Sequence, residues 1–270
     1  MTTLFLSHGS PMHALEAGGA GRAWRELADR LPRPRAVLIA SAHWETSLPM
    51  LTGREVLDTI HDFTGFPAAL YRERYDARGA PDVARRASEL LQAAGFTAAI
   101  NGCRGIDHGA WVPLKWMYPQ RDVPVVQLSV QPELGPAHHL ALGDALSPLV
   151  AEDVLVIGSG HVTHNLRDWS RDGADTAPLE YVRQFSDWLE RVLTADDRDQ
   201  LAAYRDHAPG ATRAHPTEEH FLPLFVALGA AGPHARAQRV FAAIEARALA
   251  MDAYAFESDA AQTVANCVKQ

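Results

Sequence analysis

Three short stretches bring an imidazole to the end of an apolar run. TLFLSHGSP, residues 3 to 11, passes through Leu4, Phe5 and Leu6 to Ser7 and His8. AVLIASAHWE, residues 36 to 45, ends in small residues and then His43. VLVIGSGHVTHN, residues 154 to 165, is expected to turn on Gly158, Ser159 and Gly160 and to reach His161 and His164. Neutral imidazole binds divalent metals and exchanges protons near pH 7, so an imidazole at a rigid strand end suits either task. Any one of these positions is equally explained by a hydrogen-bonded strand-end histidine. His8 and His43 together favour a shared ion. Neighbouring strands run about 4.8 Å apart, and imidazole nitrogens reach far enough to meet one metal at about 2.1 Å.

Two further segments hold groups of the same kind. RGIDHGAWVPL places Asp107 and His108 in a loop flanked by glycine, where the carboxylate could orient the imidazole or form a plain surface turn with it. HPTEEHFLPL sets His215, Glu218, Glu219 and His220 just ahead of an apolar helix. Acidic residues there complement the helix dipole, which accounts for both glutamates and leaves His220 unexplained. GSGHVTHN lacks the lysine of a P-loop and the full pattern of a dinucleotide loop, so phosphate binding is a poor reading of it.

The elements that must hold these groups alternate between strand and helix. Amphipathic or apolar helices are expected over residues 21–31, 81–94, 136–150, 178–194 and 221–232, with Pro223 tolerated only in a first turn. Strands are expected over 36–42, 123–130 and 154–160, with weaker ones from Arg239 onward, at a sheet edge. This alternation predicts an α/β fold, a single-domain sandwich whose largely parallel or mixed central sheet is flanked by helices. No repeat or linker divides residues 1–270, so one domain is expected. In such sheets the ligand crevice lies beyond the carboxyl ends of the strands, where the histidines are.

Bulk properties narrow the setting. A chain of 270 residues, 47% of them hydrophobic, buries a large core without staples. A net charge of −8 and no cluster of Lys and Arg argue against nucleic acid. No apolar stretch is long enough for a membrane span or a secretory leader. Two scattered cysteines, Cys103 and Cys267, fit a reducing compartment, so a soluble cytoplasmic protein is expected.

SHGSP, SAHW, TIHDFTGFP at 59–67, GIDHGAW, SGHVTHNL and HPTEEHFLPL occur in that order. Together they resemble the class III extradiol ring-cleavage dioxygenases, in the DOPA-dioxygenase-like branch, from the first strand to about Gly232. The resemblance implies one α/β domain with a mononuclear non-haem Fe(II) centre that opens the ring of a catechol with O2. It implies His8 and His43 as metal ligands. The third ligand is a glutamate in many enzymes of this class. In this branch the matching position is His220, with Glu218 and Glu219 as alternatives. His164 corresponds to a residue that is either an acid–base catalyst or an additional metal neighbour, and His108 to a second active-site histidine. Trp44, His61, Phe63 and Trp111 are candidate walls of the substrate pocket, although aromatic residues in such runs are often plain core. Three neutral histidines leave an Fe(II) site one unit more positive than two histidines and a carboxylate do, and the same set suits Zn(II). Other functions compatible with these residues are a zinc-dependent hydrolase or amidase and a metal-binding protein without activity.

Overall fold

Strand-forming runs and helices alternate in the computed structural model, which describes residues 2–170 and 177–258. The strands are β1 (Thr2–Ser7), β2 (Ala36–Glu45), β3 (Met50–Thr52), β4 (Val56–Leu57), β5 (Ala77–Arg78), β6 (Ala99–Asn101), β7 (Val125–Val130), β8 (Val154–Gly160), β9 (Arg236–Phe241), β10 (Ile244–Glu245), β11 (Leu249–Ala250) and β12 (Ala253–Glu257). The helices are α1 (Gly18–Arg30), α2 (Pro81–Ala93), α3 (His108–Met117), α4 (Gly135–Ala151), α5 (Glu180–Thr194), α6 (Arg198–Ala202), α7 (Tyr204–His207), α8 (Ala211–Ala214) and α9 (Leu222–Ala230).

Eight strands form one sheet in the order β6-β3-β7-β2-β8-β1-β12-β9. Its centre, β7-β2-β8-β1, is parallel, as crossover connections through helices require. β3 runs antiparallel to β7, and β12 runs antiparallel to both β1 and β9, so the sheet is mixed toward its edges. Of the weak C-terminal strands, only β9 is at the edge; β12 lies inside it, against β1.

Side chains alternate across each strand, and the two faces pack separately. Leu4, Leu6, Val37, Ile39, Leu155 and Ile157 face α1 and α3 and share a core with Trp24 and Trp111. Leu38, Ala40, Val126, Val154 and Val156 face the opposite way, toward α2, α4 and α9. Phe5 packs with α5 and α9 around Phe185, Phe221 and Phe225. Among the described residues, no helix is long and apolar enough to cross a membrane. Cys103 is a free, exposed thiol, and Cys267 lies outside the described residues.

Two elements depart from expectation. β2 continues to Glu45, three residues past the predicted end, and carries a large bulge: Ala40 pairs with Leu128, but Glu45 already pairs with Val130. The extra residues loop His43 out of regular register. The segment after Asp107 is the helix α3, in place of a loop. It is buried on nearly every side, so it lacks amphipathic periodicity, and Pro113 sits inside it.

Helices α4 and α9 touch backbone to backbone. A Cβ on Gly143 would fall 2.3 Å from the Val226 carbonyl oxygen, and one on Gly229 would fall 2.2 Å from that of Leu140. Alanine normally stabilises a helix interior by about 0.5–1 kcal/mol over glycine. Here Gly143→Ala is expected to reverse that sign and cost about 1–3 kcal/mol through overpacking, read as a lowered urea midpoint. An unchanged or raised midpoint would refute the close contact.

Candidate active site

The site is the continuation of one face of the sheet. Residues 4, 6 and 8 of β1 and its extension point the same way, as do residues 155, 157, 159 and 161 of β8 and its extension. Apolar pairs therefore give way to His8, Ser159 and His161 at the carboxyl ends of the strands. β1 and β2 are not neighbours, contrary to the simplest sequence reading: β8 lies between them. Its Gly158-Ser159-Gly160 segment is extended strand rather than a turn. Ser159 stands on the face where imidazoles from both sides converge, and the two glycines face the chain that leads into α9. Gly160 has a further constraint. A Cβ there would fall 2.0 Å from the His220 carbonyl oxygen, which accepts the His161 N–H at 2.7 Å. The chain ahead of α9 can rest on β8 only because no side chain is present.

Three Nε2 atoms meet here. His43 Nε2 lies 3.0 Å from His8 Nε2 and 3.2 Å from His220 Nε2. The opposite ring nitrogens are each turned toward a partner. Pro113 has no N–H to offer the carbonyl four residues back, so the Gly109 carbonyl is free to accept the Ser159 hydroxyl proton. Ser159 Oγ must then accept from His8 Nδ1, 3.1 Å away. His220 Nδ1 donates to Glu219 Oε1 at 2.9 Å, and His43 Nδ1 faces Asp62 Oδ2 at 3.6 Å. Protons held on Nδ1 leave all three Nε2 lone pairs aimed inward.

Burial, followed by the proximity of His161 to His8, of His108 to His43 and of His164 to His220, lowers the pKa of all three rings well below the ordinary value. They are neutral at pH 7. Neutral imidazoles with lone pairs this close repel one another unless an ion lies between them. Nitrogens bound at about 2.1 Å to one ion are about 3.0 Å apart at a right angle and about 3.4 Å apart at the tetrahedral angle. Both observed distances, 3.0 and 3.2 Å, are those expected between neighbouring ligands of one ion.

Two sets of donors lie close enough to hold an ion, with ligand atoms within 4.8 Å of one another: His8, His43 and His108, and His164, Glu219 and His220. The contact between His43 and His220 joins them. Three further donors remain. His108 Nδ1 donates to Asp62 Oδ2 at 2.8 Å, which leaves its Nε2 as a candidate donor; Glu219 reaches only the Nδ1 edge of His220, opposite His43; and the His164 ring lies against that of His220. Glu218, the other acidic candidate, is held away by Tyr204 and Arg205, each at 2.8 Å.

Asp62 is the residue that reading the local sequence missed. One of its oxygens accepts the His108 backbone N–H at 2.9 Å, at the first residue of α3, while the other takes the ring N–H. Burial opposes its ionisation, but the hydrogen bond and charge of His108 hold it down at about 2. Asp107, the sequence neighbour expected to orient His108, instead anchors the bulge: Ser41 donates to it at 2.6 Å, and Gln127 and Arg104 hold its other oxygen.

A cavity of about 310 Å³ opens over these nitrogens. His8, His43, His108, His161 and His164 line its floor with Asp62, while Phe63, Phe66, Leu166, Trp169, Pro11 and Leu249 make apolar walls. His161 Nε2 accepts the Gly9 N–H at 3.0 Å and buttresses the His8 loop. His164 stacks on His220, with ring centroids 3.5 Å apart and planes 12° from parallel. Burial, then the proximity of His108, lowers the His164 pKa to about 4. Of the aromatic residues expected in the wall, Phe63 is there. Trp44 lies under the Arg104 guanidinium, 4.6 Å from its ring, outside the lining. His61 and Trp111 stand behind Phe63, bonded to the backbone of Glu73 and Ile60.

The family model for the catalytic LigB subunit of aromatic ring-opening dioxygenase matches residues 2–249, and this chain belongs to that family. It is therefore an aromatic ring-opening dioxygenase of the extradiol type. Its relatives include 4,5-DOPA dioxygenase extradiol of Beta vulgaris, 42% identical over 261 residues that cover 95% of this chain and 96% of the relative. The protein of the same name from Escherichia coli (strain K12) is 42% identical over 233 residues, 85% of each chain. The crystal structure of an uncharacterized Escherichia coli K12 protein superposes with a TM-score of 0.80 at 35% identity, covering 94% of this chain and 99% of that one.

Acid should undo the site and much of the fold together. Burial lowers the pKa of His139 to about 4 and of His215 to about 3, like the cage histidines. The unfolded chain takes up these protons below about pH 6.5 and the folded chain does not, so each histidine removes about 1.4 kcal/mol of stability per pH unit in that window. The denaturation midpoint of the metal-free protein is expected to hold steady above pH 7 and drop steeply between pH 6.5 and 5. A flat profile across that range would contradict burial of the neutral rings.

Proposed function

We propose that the chain is a cytoplasmic, single-domain extradiol dioxygenase that binds Fe(II) through His8, His43 and His220 and opens a catechol ring with O2. The observation that carries this reading is the convergence of three Nε2 atoms at 3.0 and 3.2 Å beneath a cavity with aromatic walls. The family membership and the names of the DOPA dioxygenase relatives support the catechol as substrate. Bound Fe(II) would supply chelation of both catechol oxygens and an electron path to O2, which a facial set of three ligands leaves room for. The same donors accept Zn(II), which would bind without that redox capacity.

The protein groups have separable tasks. Phe63, Phe66 and Trp169 line the cavity with apolar surface against which an aromatic ring can pack away from water. His164, neutral at pH 7 and in the lining of the cavity, takes a proton from a catechol hydroxyl. His108 is backed by Asp62, whose carboxylate steadies the ring whenever it carries a second proton. Protonated on both nitrogens, it can donate a hydrogen bond from Nε2 to the reacting oxygen, while the proton that His164 took returns from His164 as the ring opens.

Anaerobic loading with Fe(II), followed by an oxygen electrode and a panel of catechols, is the direct test. Oxygen uptake stoichiometric with a yellow semialdehyde product is expected, and substrate turnover without oxygen would favour a hydrolase. His43→Ala is expected to lose the metal and the activity together. His164→Ala should keep the metal and lose rate by about 100-fold or more. Loss of metal from His164→Ala would make that residue a ligand instead.

A further inference from the structure

A divalent ion held only by neutral histidines carries its full charge, whereas two histidines and a carboxylate cancel one unit of it. Among the described residues the cage contains no inner carboxylate, yet two carboxylates stand behind its rings. Glu219 Oε1 accepts from His220 Nδ1 at 2.9 Å and from the Thr217 hydroxyl at 3.0 Å. Asp62 Oδ2 faces His43 Nδ1 at 3.6 Å while holding His108 Nδ1 at 2.8 Å. The third ring, His8, has only the neutral Ser159 hydroxyl behind it. Each carboxylate sits on the far edge of its imidazole, where it can polarise the ring without reaching the ion.

We propose that Glu219 and Asp62 are positioning residues that supply, from outside the ring of ligands, the negative charge which a carboxylate ligand would place directly on the metal. This rests on the assignment of His8, His43 and His220 as the metal-binding set. Pulling the Nδ1 proton of His220 toward Glu219 raises the electron density at its Nε2, while Asp62, 3.6 Å from His43 Nδ1, acts on that ring through its charge. The arrangement places a carboxylate behind two of the three rings without either one taking a donor position at the ion. The sequence places Glu219 next to His220, so one short turn delivers both donor and charge.

Glu219→Gln isolates the charge, because the amide oxygen still accepts from Nδ1. Full-length protein is titrated anaerobically with Fe(II) and separately with Zn(II) against a competing chelator, with circular dichroism to verify folding. Glu219→Gln and Asp62→Asn are each expected to weaken binding by about 10- to 100-fold. Both should also move the potential of the bound iron to more positive values, which a merely structural role would not do. Affinity and potential equal to wild type in both variants would overturn the proposal. So would a loss in Glu219→Gln as complete as in His220→Ala, since that would make Glu219 a ligand. Wild-type protein that binds neither metal would overturn the metal assignment itself, a result distinct from normal binding that ignores the two carboxylates.

Discussion

Three buried lone pairs aimed at one point are the constraint on which this structure turns. Imidazole nitrogens 3.0 and 3.2 Å apart repel when both are unprotonated, and burial among other histidines keeps protons off them. A cation relieves that repulsion. The surrounding hydrogen bonds all act in the same sense. Ser159, Glu219 and Asp62 each occupy or face an Nδ1, so no ring can turn its lone pair away without abandoning a partner. Even Pro113 participates, since the carbonyl it leaves free determines which way the Ser159 hydroxyl points.

The sheet makes this convergence possible by placing its smallest residues where the rings must meet. β8 carries glycine at 158 and 160, between the two strands that deliver His8 and His43. A Cβ at either position would meet the backbone of Pro223 or His220 and push away the chain that leads into α9. The bulge in β2, anchored through Ser41 to buried Asp107, supplies the remaining adjustment. A rigid scaffold thus holds the donors, while the aromatic walls come from the connecting segments around Phe63 and Leu166, where change disturbs the sheet least.

Much of this was legible in the chain. Unbroken apolar runs followed by histidine mark β1, β2 and β8, and the histidine before the apolar α9 stands out because the helix dipole explains its acidic neighbours and not His220 itself. What escaped local reading depends on distant contacts. Asp62 acts on His108 from 46 residues away, so the adjacent Asp107 was the natural but mistaken partner. α3 escaped because a helix buried all round has no polar stripe, and Pro113 reads as a breaker. Trp44, His61 and Trp111 lie near the site in sequence, but alternation and local packing turn them behind it; Phe63 alone of the four reaches the cavity. The order of strands was likewise hidden, because nothing in β8 announces that it inserts between β1 and β2.

The span of the cage along the chain has a consequence for how the protein matures. His43 and His220 are separated by 177 residues, and the strand that brings His8 beside them also pairs with β12 near the C-terminal end of the described chain. No early segment of the nascent polypeptide contains a complete set of donors. An ion held by this set would therefore be captured only at the end of folding, after the ribosome has delivered α9, and its strength of binding would measure whether the whole sheet has been assembled.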